Sequence, residues 1–462
     1  FKAITAFKSI RREISNLTTS DSRPADLNMD QIKRIFGGGP LIWLLIVVIL
    51  ASIEQNRSEI SDDDKAKIEK GFEAGKAILD LITNKDFKEA LTEIGKSIAP
   101  FLGAFGPFLS LILAFIPGAD SAELAYLKEM MKNIDNRFNR LDSRFDEVQR
   151  MIDWTKVAVN FGQIEQKILA MDVEFKLLYT GGAPAANKKQ VFITHFESDY
   201  QLSGLKLYNA IVHTQGTFQE NLGESVMRYT KNDRKKTRDF LLGIMRLLIQ
   251  GAKVELAYYK AKGFETIAEQ RKQEWETRIR TVKSNFEQID RTVTDRYHGQ
   301  SLVDIKKYAA DNYGMSNKDF SVGLYGMLNG KYDWRVWYDI IYNPIHGWDR
   351  HSVSVCGGHI LFQQDGRNIV VASKDRNAGR MDLQRAWTSL LRRMWITEDL
   401  MYNGQLARNL YNEIDKTGAC LVAVILQDGS DIWLQGDPNR IALRGIAQPT
   451  RHARVLAMLM FG

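Results

Sequence analysis

Candidate catalytic chemistry is concentrated in one short stretch, where His351, Cys356 and His359 fall within nine residues. A thiol beside an imidazole can act as a nucleophile, because the histidine takes the thiol proton. The Cys-x-x-His spacing with one further histidine completes no recognised zinc site. No phosphate-binding loop, dinucleotide fingerprint or hydrolase elbow occurs in the chain. We therefore expect no enzymatic activity, no metal and no cofactor.

The two cysteines of the chain, Cys356 and Cys420, admit two interpretations. In a secreted protein they would form a disulfide that closes a loop of about 65 residues and stabilises the fold by about 4 kcal/mol on the chain-entropy model. Two buried free thiols are the alternative. A disulfide would leave Cys356 no thiolate for nucleophilic attack.

The segment from Ser97 to Ala119 is the most unusual part of the chain, with twenty-three residues and no charged side chain. It is long enough to cross a bilayer, which takes about 20 mostly apolar residues. In a soluble protein it must be buried, because so much exposed apolar surface would drive aggregation or membrane binding. Its Gly106-Pro107 pair predicts either a helical hairpin or one kinked helix. The residues predicted to insert into a membrane are Phe101, Leu102, Phe105, Phe108, Leu109, Leu111, Ile112, Leu113, Phe115 and Ile116.

A shorter apolar run extends from Leu41 to Ser52. Twelve residues are more typical of a buried helix than of a membrane span, although such a helix could insert beside the longer run. The residues of this second apolar helix are Leu41, Trp43, Leu44, Leu45, Val47 and Ile49.

Two seams of apolar residues at helical spacing follow. The first predicts one long helix from Leu127 to Ile152, with a packing face that serves either a bundle or an oligomer. Its members are Leu127, Met131, Ile134, Phe138, Leu141, Phe145, Val148 and Ile152. The second seam comprises Trp275, Ile279, Val282, Phe286, Ile289 and Val293.

The pattern changes near residue 300, which predicts two domains. Residues 1–300 read as a multi-helix bundle, the predicted pore-forming domain. Residues 301–462 contain short β-rich runs with a hairpin turn at Asp365-Gly366, and they read as a smaller α+β domain for recognition or assembly. The fold class expected is mainly α.

Six aromatic residues fall in the segment from Tyr332 to Trp348. Tyrosine and tryptophan rings carry a polar atom and are typical of partly hydrated surfaces such as membrane interfaces and binding sites. They could contact a membrane or a ligand, or form the core between the two domains. The basic cluster from Lys231 to Arg238 could attract anionic headgroups or be a solvated loop. The candidate contact residues are Trp334, Trp337, Tyr338, Tyr342, Trp348, Lys235 and Lys236.

The composition is that of an ordinary globular protein, with 44% hydrophobic and 26% charged residues. The net charge of +7 comes from 63 basic and 56 acidic residues that are mostly interspersed. This bias suits an anionic membrane surface, and no nucleic-acid recognition motif accompanies it. We expect no nucleic-acid partner.

The segment from Asn133 to Lys167 resembles the helical segment of cnidarian toxins typified by box jellyfish haemolysins and of cephalotoxin-like proteins. The resemblance lies in Phe145-Asp146-Glu147-Val148, Ile152-Asp153-Trp154 and Phe161-Gly162. An apolar segment with proline and glycine lies upstream, as in that family. The similarity extends towards the region from Tyr332 to Gly358.

This resemblance implies a secreted, haemolytic and cytolytic venom protein stored in nematocysts and thought to form pores. It also implies a bundle remotely similar to the N-terminal helical domain of insecticidal δ-endotoxins. The family includes non-toxin relatives in animals.

Together these features predict a secreted cytolysin that binds target-cell lipids, with a cell-surface receptor or glycan as a further partner. It would form pores as a homo-oligomer after releasing its apolar segment. The alternative is a non-lytic secreted binding protein whose C-terminal domain recognises a carbohydrate, lipid or protein.

Overall fold

Helices occupy most of the chain up to residue 331, and strands dominate the remainder. The computed structural model describes residues 60–114, 121–140, 143–156, 160–180, 185–213, 221–344, 351–391, 408–409, 412, 418–426, 430–446 and 456–462. The described residues from 63 onward belong to one compact unit. The second apolar run, with Leu41, Trp43, Leu44, Leu45, Val47 and Ile49, lies outside the described residues, as do Phe115, Ile116, Leu141 and Trp348.

The helical part is built from α-helices with a 3₁₀ turn at Trp154–Lys156 and a π-helical turn at Phe196–Tyr200. The helices are α1 (Asp62–Asn84), α2 (Phe87–Ala114), α3 (Ala122–Phe138), α4 (Ser143–Met151), α5 (Phe161–Tyr179), α6 (Ala185–His195), α7 (Ser203–Val212), α8 (Leu222–Tyr229), α9 (Arg234–Ala261), α10 (Glu265–Asp295), α11 (Tyr297–Asp311) and α12 (Asn317–Lys331).

Helix α9 is the centre of the bundle. The Asp233 side chain caps its first turn by accepting a hydrogen bond from the Lys236 amide at 3.1 Å. From Asp239 to Ala257 every residue except Arg246 is buried. A helix that is apolar on all sides must be covered on all sides, and α2, α4, α5, α7 and α10 pack around it.

Helix α2 contains most of the long apolar run as one uninterrupted helix of 28 residues, with Pro100 and Pro107 inside it. The helical hairpin expected as one alternative is therefore wrong. An internal proline costs about 3 kcal/mol, whereas each fully buried large apolar side chain gains about 1.5–3 kcal/mol. The many buried side chains of α2 outweigh its two prolines.

Two glycines let α1 lie very close to α2. A methyl group on Gly71 would overlap Ala104, and one on Gly75 would overlap the ring of Phe101. The turn between the two helices places Lys85 at φ 64°. The Asp86 carboxylate then accepts a hydrogen bond from the Glu89 amide at 3.0 Å and begins α2.

The first seam is buried, but the single helix predicted for it is wrong. Helix α3 ends at Phe138, and α4 begins at Ser143. Every described seam residue on either side of the break is at most 5% exposed. Phe145 packs against Gly243 of α9, where any side chain would overlap its ring. Because the buried pattern continues across the break, periodicity alone did not reveal it.

The second seam is confirmed along α10, where all six residues are buried. Trp275 is fully buried, and its indole donates a hydrogen bond to the Glu255 carboxylate at 3.1 Å. Helix α10 packs mainly against α9 and α2.

The C-terminal part contains two antiparallel sheets, with strand orders β3-β4-β1-β6 and β2-β5-β8-β7. The strands are β1 (Arg335–Tyr342), β2 (His351–Val355), β3 (His359–Gln364), β4 (Arg367–Asp375), β5 (Leu421–Leu426), β6 (Trp433–Gly436), β7 (Ile441–Ile446) and β8 (Leu456–Phe461). Helix α13 (Leu383–Leu391) follows β4. The mainly α fold class with a smaller α+β region is confirmed.

Strand β1 is buried on both faces. Tyr338 and Ile340 pack against the second sheet, and Tyr338 stacks on Phe461 with ring centroids 5.3 Å apart. Trp337 and Ile341 point the other way, towards α11 and α12. The predicted domain boundary at residue 300 falls within α11 and stays a prediction.

Two local predictions in the C-terminal part are confirmed. Asp365 and Gly366 join β3 to β4 with φ 46° and 80°, as a two-residue hairpin turn requires. Cys356 and Cys420 form a disulfide at the paired ends of β2 and β5, next to the Val355–Leu421 pair. The free-thiol alternative is therefore wrong.

Replacing both cysteines with serine should lower the free energy of unfolding by about 4 kcal/mol on the chain-entropy model, because the bridge joins residues 64 positions apart. Urea unfolding followed by tryptophan fluorescence measures this difference. The wild type in reductant is the matched control and should unfold like the serine variant. An unchanged unfolding midpoint in both would contradict a stabilising role for the bridge.

Candidate functional site

Helix α2 is the one helix among the described residues that is long and apolar enough to cross a membrane, with an 18-residue window of mean hydropathy 1.8. Half of that window is buried. Leu111 and Leu113 are half-buried, whereas Ser110 and Ala114 are exposed. The fully buried residues predicted for insertion are Phe101, Leu102, Phe105, Phe108, Leu109 and Ile112.

The buried face of α2 packs on aromatic rings of α3 and α5. The ring centroids of Phe101 and Phe138 are 6.5 Å apart, and those of Phe105 and Phe175 are 6.1 Å apart. Phe108 meets Tyr179 edge-on at 5.8 Å. On the α1 side, Phe72 lies 5.2 Å from Phe108.

Behind these rings lies a cluster of buried charged residues, Asp135 of α3, Asp172 of α5 and Lys253 of α9, which we call the ion cluster. The Lys253 Nζ lies 2.7 Å from the Asp135 Oδ1 and also contacts Asp172. Tyr179 donates its hydroxyl hydrogen to Asp135, and Gln250 donates to Asp172 at 3.3 Å. The side chains of Lys253 and Asp135 are 0% exposed, and that of Asp172 is 3% exposed.

The same rings that face α2 enclose the lysine. The Lys253 Nζ lies 4.9 Å from the ring centroid of Phe138 and 4.6 Å from that of Phe175. Cation–π contacts of this kind gain strength when the charge is desolvated. Phe138, Phe175 and Tyr179 therefore separate the apolar helix from the ion cluster, with α2 on one side and the charges on the other.

Two carboxyl groups share one cation in the ion cluster, which affects the pKa of Asp172 and that of Lys253. Burial raises the pKa of Asp172 above its ordinary 3.8. Burial works to lower the pKa of Lys253, but Asp135 and Asp172 together raise it. Lys253 therefore stays charged.

The pH dependence follows from these directions. The contribution of Asp172 to stability is fully present below 3.8 and is lost as the pH rises through its higher folded-state pKa. Acidification therefore does not open the bundle through Asp172.

The ion cluster is not among the sites predicted from the sequence. Lys253 lies within the buried stretch of α9, and Asp135 follows Ile134 in the first seam. A charged residue inside an apolar helix is rarely fully buried unless it is paired. Lys253 within an apolar helix therefore indicates a buried ion pair. Its partners Asp135 and Asp172 lie 118 and 81 residues away in sequence, so spacing alone does not identify them.

Three of the predicted contact aromatics, Trp337, Tyr338 and Tyr342, are 0% exposed. Of the two alternatives, these three residues take the core and not an exposed contact surface, because β1 is covered by the second sheet on one face and by helices on the other. The Tyr342 hydroxyl pairs with the His351 Nδ1 at 2.7 Å. Trp334 is half-buried, beneath the guanidinium of Arg234 at 5.1 Å.

The basic cluster lies at the first turn of α9. Lys235 is exposed, whereas Lys236 binds Glu147 of α4 at 2.7 Å. Arg234 and Arg238 both bind Asp290 of α10, with nitrogen–oxygen distances of 2.8–2.9 Å. The cluster thus holds helices together as well as offering positive charge.

The candidate catalytic residues have other partners in the fold. Cys356 is in the disulfide, and the His359 Nε2 lies 2.9 Å from the Ser301 Oγ. Ser301 is fully buried, and its hydroxyl also donates to the His298 carbonyl at 3.0 Å, which keeps it away from any substrate in solution. No group of three His, Cys, Asp or Glu side chains is placed to hold a metal within the ranges that the structure describes.

The architecture defines a class of protein: a helical bundle that stores a membrane-length apolar helix in its core and continues into a disulfide-bonded β-rich region. Residues 117–314 match the family model of the cephalotoxin-like middle helical domain. This match supports a cephalotoxin-like family assignment, which suggests a secreted, toxin-like protein. The match covers the described helices from α3 to α11, and α2 lies before it. No curated protein and no solved structure matches the chain.

Replacing Lys253 with methionine should destabilise the protein by roughly 3–5 kcal/mol, because two buried carboxyl groups would lose the cation that they share. Chemical denaturation followed by circular dichroism measures this loss. Lys235→Met on the same helix is the control and should change stability by less than about 0.5 kcal/mol, because Lys235 is exposed. Equal stability of the two variants would contradict the assigned role of Lys253.

His359 should make the protein less stable in mild acid. Burial, and then the neighbouring His298, lower its pKa from 6.5 to about 4. Between these pH values the unfolded state binds a proton that the folded state does not bind. The free energy of unfolding therefore decreases as the pH falls from 6.5 to about 4. The full difference between these values corresponds to roughly 3 kcal/mol.

Urea unfolding at several pH values across that window tests the assignment. His359→Gln should flatten the pH dependence, whereas His213→Gln, at an exposed position, should leave it unchanged. The same slope in all three proteins would contradict the role of His359.

Proposed function

We propose that this secreted, toxin-like protein kills cells by forming pores, with α2 as the element that enters the membrane. The observation that carries the proposal is α2 itself, a membrane-length apolar helix that is half buried in the bundle. A buried helix of this kind is also compatible with a permanent core, so the proposal depends on release of the helix.

Release requires α2 to leave α9 and α10, on which it packs, and to break two further sets of contacts. On one side α2 leaves α1, where Gly71 and Gly75 allow close packing. On the other side it leaves Phe138, Phe175 and Tyr179. Once α2 has left, the aromatic rings that cover the ion cluster would be exposed to water. Exposing these rings, and the charges beside them, costs free energy. Contact with a bilayer would lower this cost, because the helix gains an apolar environment at the moment that it leaves the bundle.

Several chains must contribute to one pore, because a single apolar helix cannot line a channel. The seams of α3, α4 and α10 are buried within the chain. Their use in an oligomer would therefore require exchange of intramolecular for intermolecular partners. The proposed partners are target-cell lipids and further copies of the chain, with a receptor or glycan as an additional attachment point. Storage in nematocysts is part of the same proposal, which needs no enzymatic step, cofactor or nucleic acid.

The variant Ser110→Lys tests membrane insertion of α2 without disturbing the fold. Ser110 is exposed in the bundle, so Ser110→Lys should fold normally. In a bilayer the same lysine would lie near the middle of the apolar run and cost about 2.5–3.5 kcal/mol. We expect the variant to bind cells while its lysis of erythrocytes falls by at least tenfold, a loss of about 1.4 kcal/mol or more.

Thr277→Lys adds the same charge at an exposed position of the polar helix α10 and serves as the matched control. Leu113→Lys, at a half-buried position of α2, should lose lysis as well. Normal lysis by a folded Ser110→Lys variant would show that α2 does not insert.

The alternative function is a non-lytic binding protein, and one cleft favours it. The cleft has a volume of about 540 Å³ and lies where α9 and α10 meet β1 and β4. Its lining includes Trp334, Arg335 and Asp375, an aromatic and charged set that suits a polar ligand such as a carbohydrate. Dye release from liposomes distinguishes the two functions, because the binding protein would release none from any lipid composition.

A further inference from the structure

The cleft of about 540 Å³ where α9 and α10 meet β1 and β4 has a lining of mixed charge. We call it the junction cleft. Its volume lies within the range of roughly 300–1,000 Å³ that is typical of small-molecule sites. The charged residues of its lining are Arg234, Arg335, Arg376, Asp295 and Asp375. The junction cleft therefore presents both hydrogen-bond donors and hydrogen-bond acceptors to a ligand.

The protein itself fixes the guanidinium groups of Arg335 and Arg376. The Arg335 Nε and Nη2 donate to the Oγ and the carbonyl of Ser373, each at 2.9 Å. The Arg376 Nε donates to the Asp333 carbonyl at 2.6 Å, and its Nη2 donates to the Arg335 carbonyl at 3.3 Å. In the part of the chain that the structure describes, the Nη1 of each arginine has no hydrogen-bond partner. Each arginine thus keeps one oriented donor group for a ligand, which lowers the entropy cost of binding.

The two carboxylates of the junction cleft can accept hydrogen bonds from a ligand. The Asp295 side chain, at the end of α10, has no hydrogen bond or ion pair with any residue of the described ranges. One oxygen of Asp375 accepts from the Asn377 amide at 2.8 Å, and its other oxygen has no partner among the same residues. Asp295 and Asp375 are both exposed, so a ligand in solution can reach them.

The charges that remain for a ligand are balanced. Both the Nε and the Nη2 of Arg234 bind the Asp290 carboxylate at 2.8 Å, so the charge of Arg234 is already compensated. Arg335 and Arg376 then face two carboxylates of the same lining. A lining with two cations and two anions does not favour a ligand of either net charge.

The hydrogen-bonding groups select the ligand further. A phosphate or sulfate only accepts hydrogen bonds and would be repelled by the carboxylates, whereas an ammonium only donates and would be repelled by the guanidinium groups. A sugar hydroxyl both donates and accepts. The half-buried ring of Trp334 adds an apolar contact to the lining, and such a combination of an aromatic ring with a few polar groups is typical of ligand sites.

We propose that the junction cleft binds a neutral glycan on the surface of the target cell. Hydroxyl groups of the glycan donate hydrogen bonds to Asp295 and Asp375. Other hydroxyl groups accept hydrogen bonds from Arg335 and Arg376. The inference rests on the proposed function, in which a glycan is an additional attachment point, and it gives that attachment point a location and a ligand class.

The junction cleft is connected to the first turn of α2 through Asp290. Arg234 of the cleft and Arg238 both bind Asp290. The Arg238 Cζ lies 5.2 Å from the ring centroid of Phe87, the first residue of α2. A glycan bound in the cleft would therefore hold the cell surface close to the helix that we propose to insert.

An array of immobilised glycans tests the ligand class without requiring a pore. Labelled wild-type protein is applied to lactose, N-acetyllactosamine, maltose and mannobiose, and to sialyllactose, sulfated lactose and phosphocholine. We expect binding to at least one of the neutral disaccharides and weaker binding to the three charged probes. Absence of binding to every neutral disaccharide, or stronger binding to a charged probe than to all of them, would overturn the assignment.

The variant Asp295→Asn/Asp375→Asn tests the location of the site, because it keeps the size of both side chains and removes their charge. Its affinity for the disaccharide that binds wild type best should fall at least about tenfold, since hydrogen bonds to ionised acceptors are stronger than those to neutral ones. Biolayer interferometry measures the affinity. The matched control Asp199→Asn/Asp311→Asn changes two exposed carboxylates elsewhere and should bind like wild type. Equal affinity of the two folded double variants, checked by circular dichroism, would show that the junction cleft does not bind the glycan.

Erythrocyte lysis separates this inference from the proposed function. If wild-type protein binds a neutral glycan through the junction cleft but lyses no cells, the cleft assignment holds and pore formation fails. If wild type lyses cells but binds no neutral disaccharide, and Asp295→Asn/Asp375→Asn lyses them equally well, pore formation holds and the cleft assignment fails. Protease digestion of the cells before binding identifies the carrier of the glycan, since glycolipids survive digestion and glycoproteins do not.

Discussion

The structure depends on keeping α2 covered. Its buried face contributes Phe101, Phe105 and Phe108, and these rings can be hidden only by a matching set on neighbouring helices. Phe138 and Phe175 supply part of that set and also enclose Lys253. The same aromatic rings therefore contact both the apolar helix α2 and the ion cluster. Moving α2 changes the environment of the ion cluster, and disrupting the ion cluster loosens the surface on which α2 rests.

The ion cluster specifies the arrangement of the bundle more than it stabilises it. Desolvation of buried charges offsets much of their mutual attraction, whereas removing one partner is strongly destabilising. Asp135, Asp172 and Lys253 lie on three different helices. Their mutual contacts therefore fix the relative positions of α3, α5 and α9. The buried face of α2 contacts its neighbours mainly through apolar and aromatic side chains.

Acid affects two parts of the molecule in opposite directions. The raised pKa of Asp172 makes its contribution to stability greatest at low pH. The lowered pKa of His359 makes the contact between α11 and β3 weaker as the pH falls. Acidification would therefore loosen the β-rich region before the centre of the bundle. A trigger for α2 release is better sought at the membrane surface.

The sequence by itself determined the features that depend on local pattern. These include the apolar run of α2, the two buried seams, the Asp365-Gly366 hairpin and the change from helical to strand-like patterns near residue 300. Periodicity and turn chemistry depend on neighbouring residues, so they can be recognised in the sequence. Only the tertiary structure decided which surfaces meet. It placed Trp337, Tyr338 and Tyr342 in a core, divided the first seam between two helices, and brought Lys253 to carboxylates that lie far away in sequence. Burial and ion pairing are properties of long-range packing, and a local pattern predicts that a face is covered without specifying what covers it.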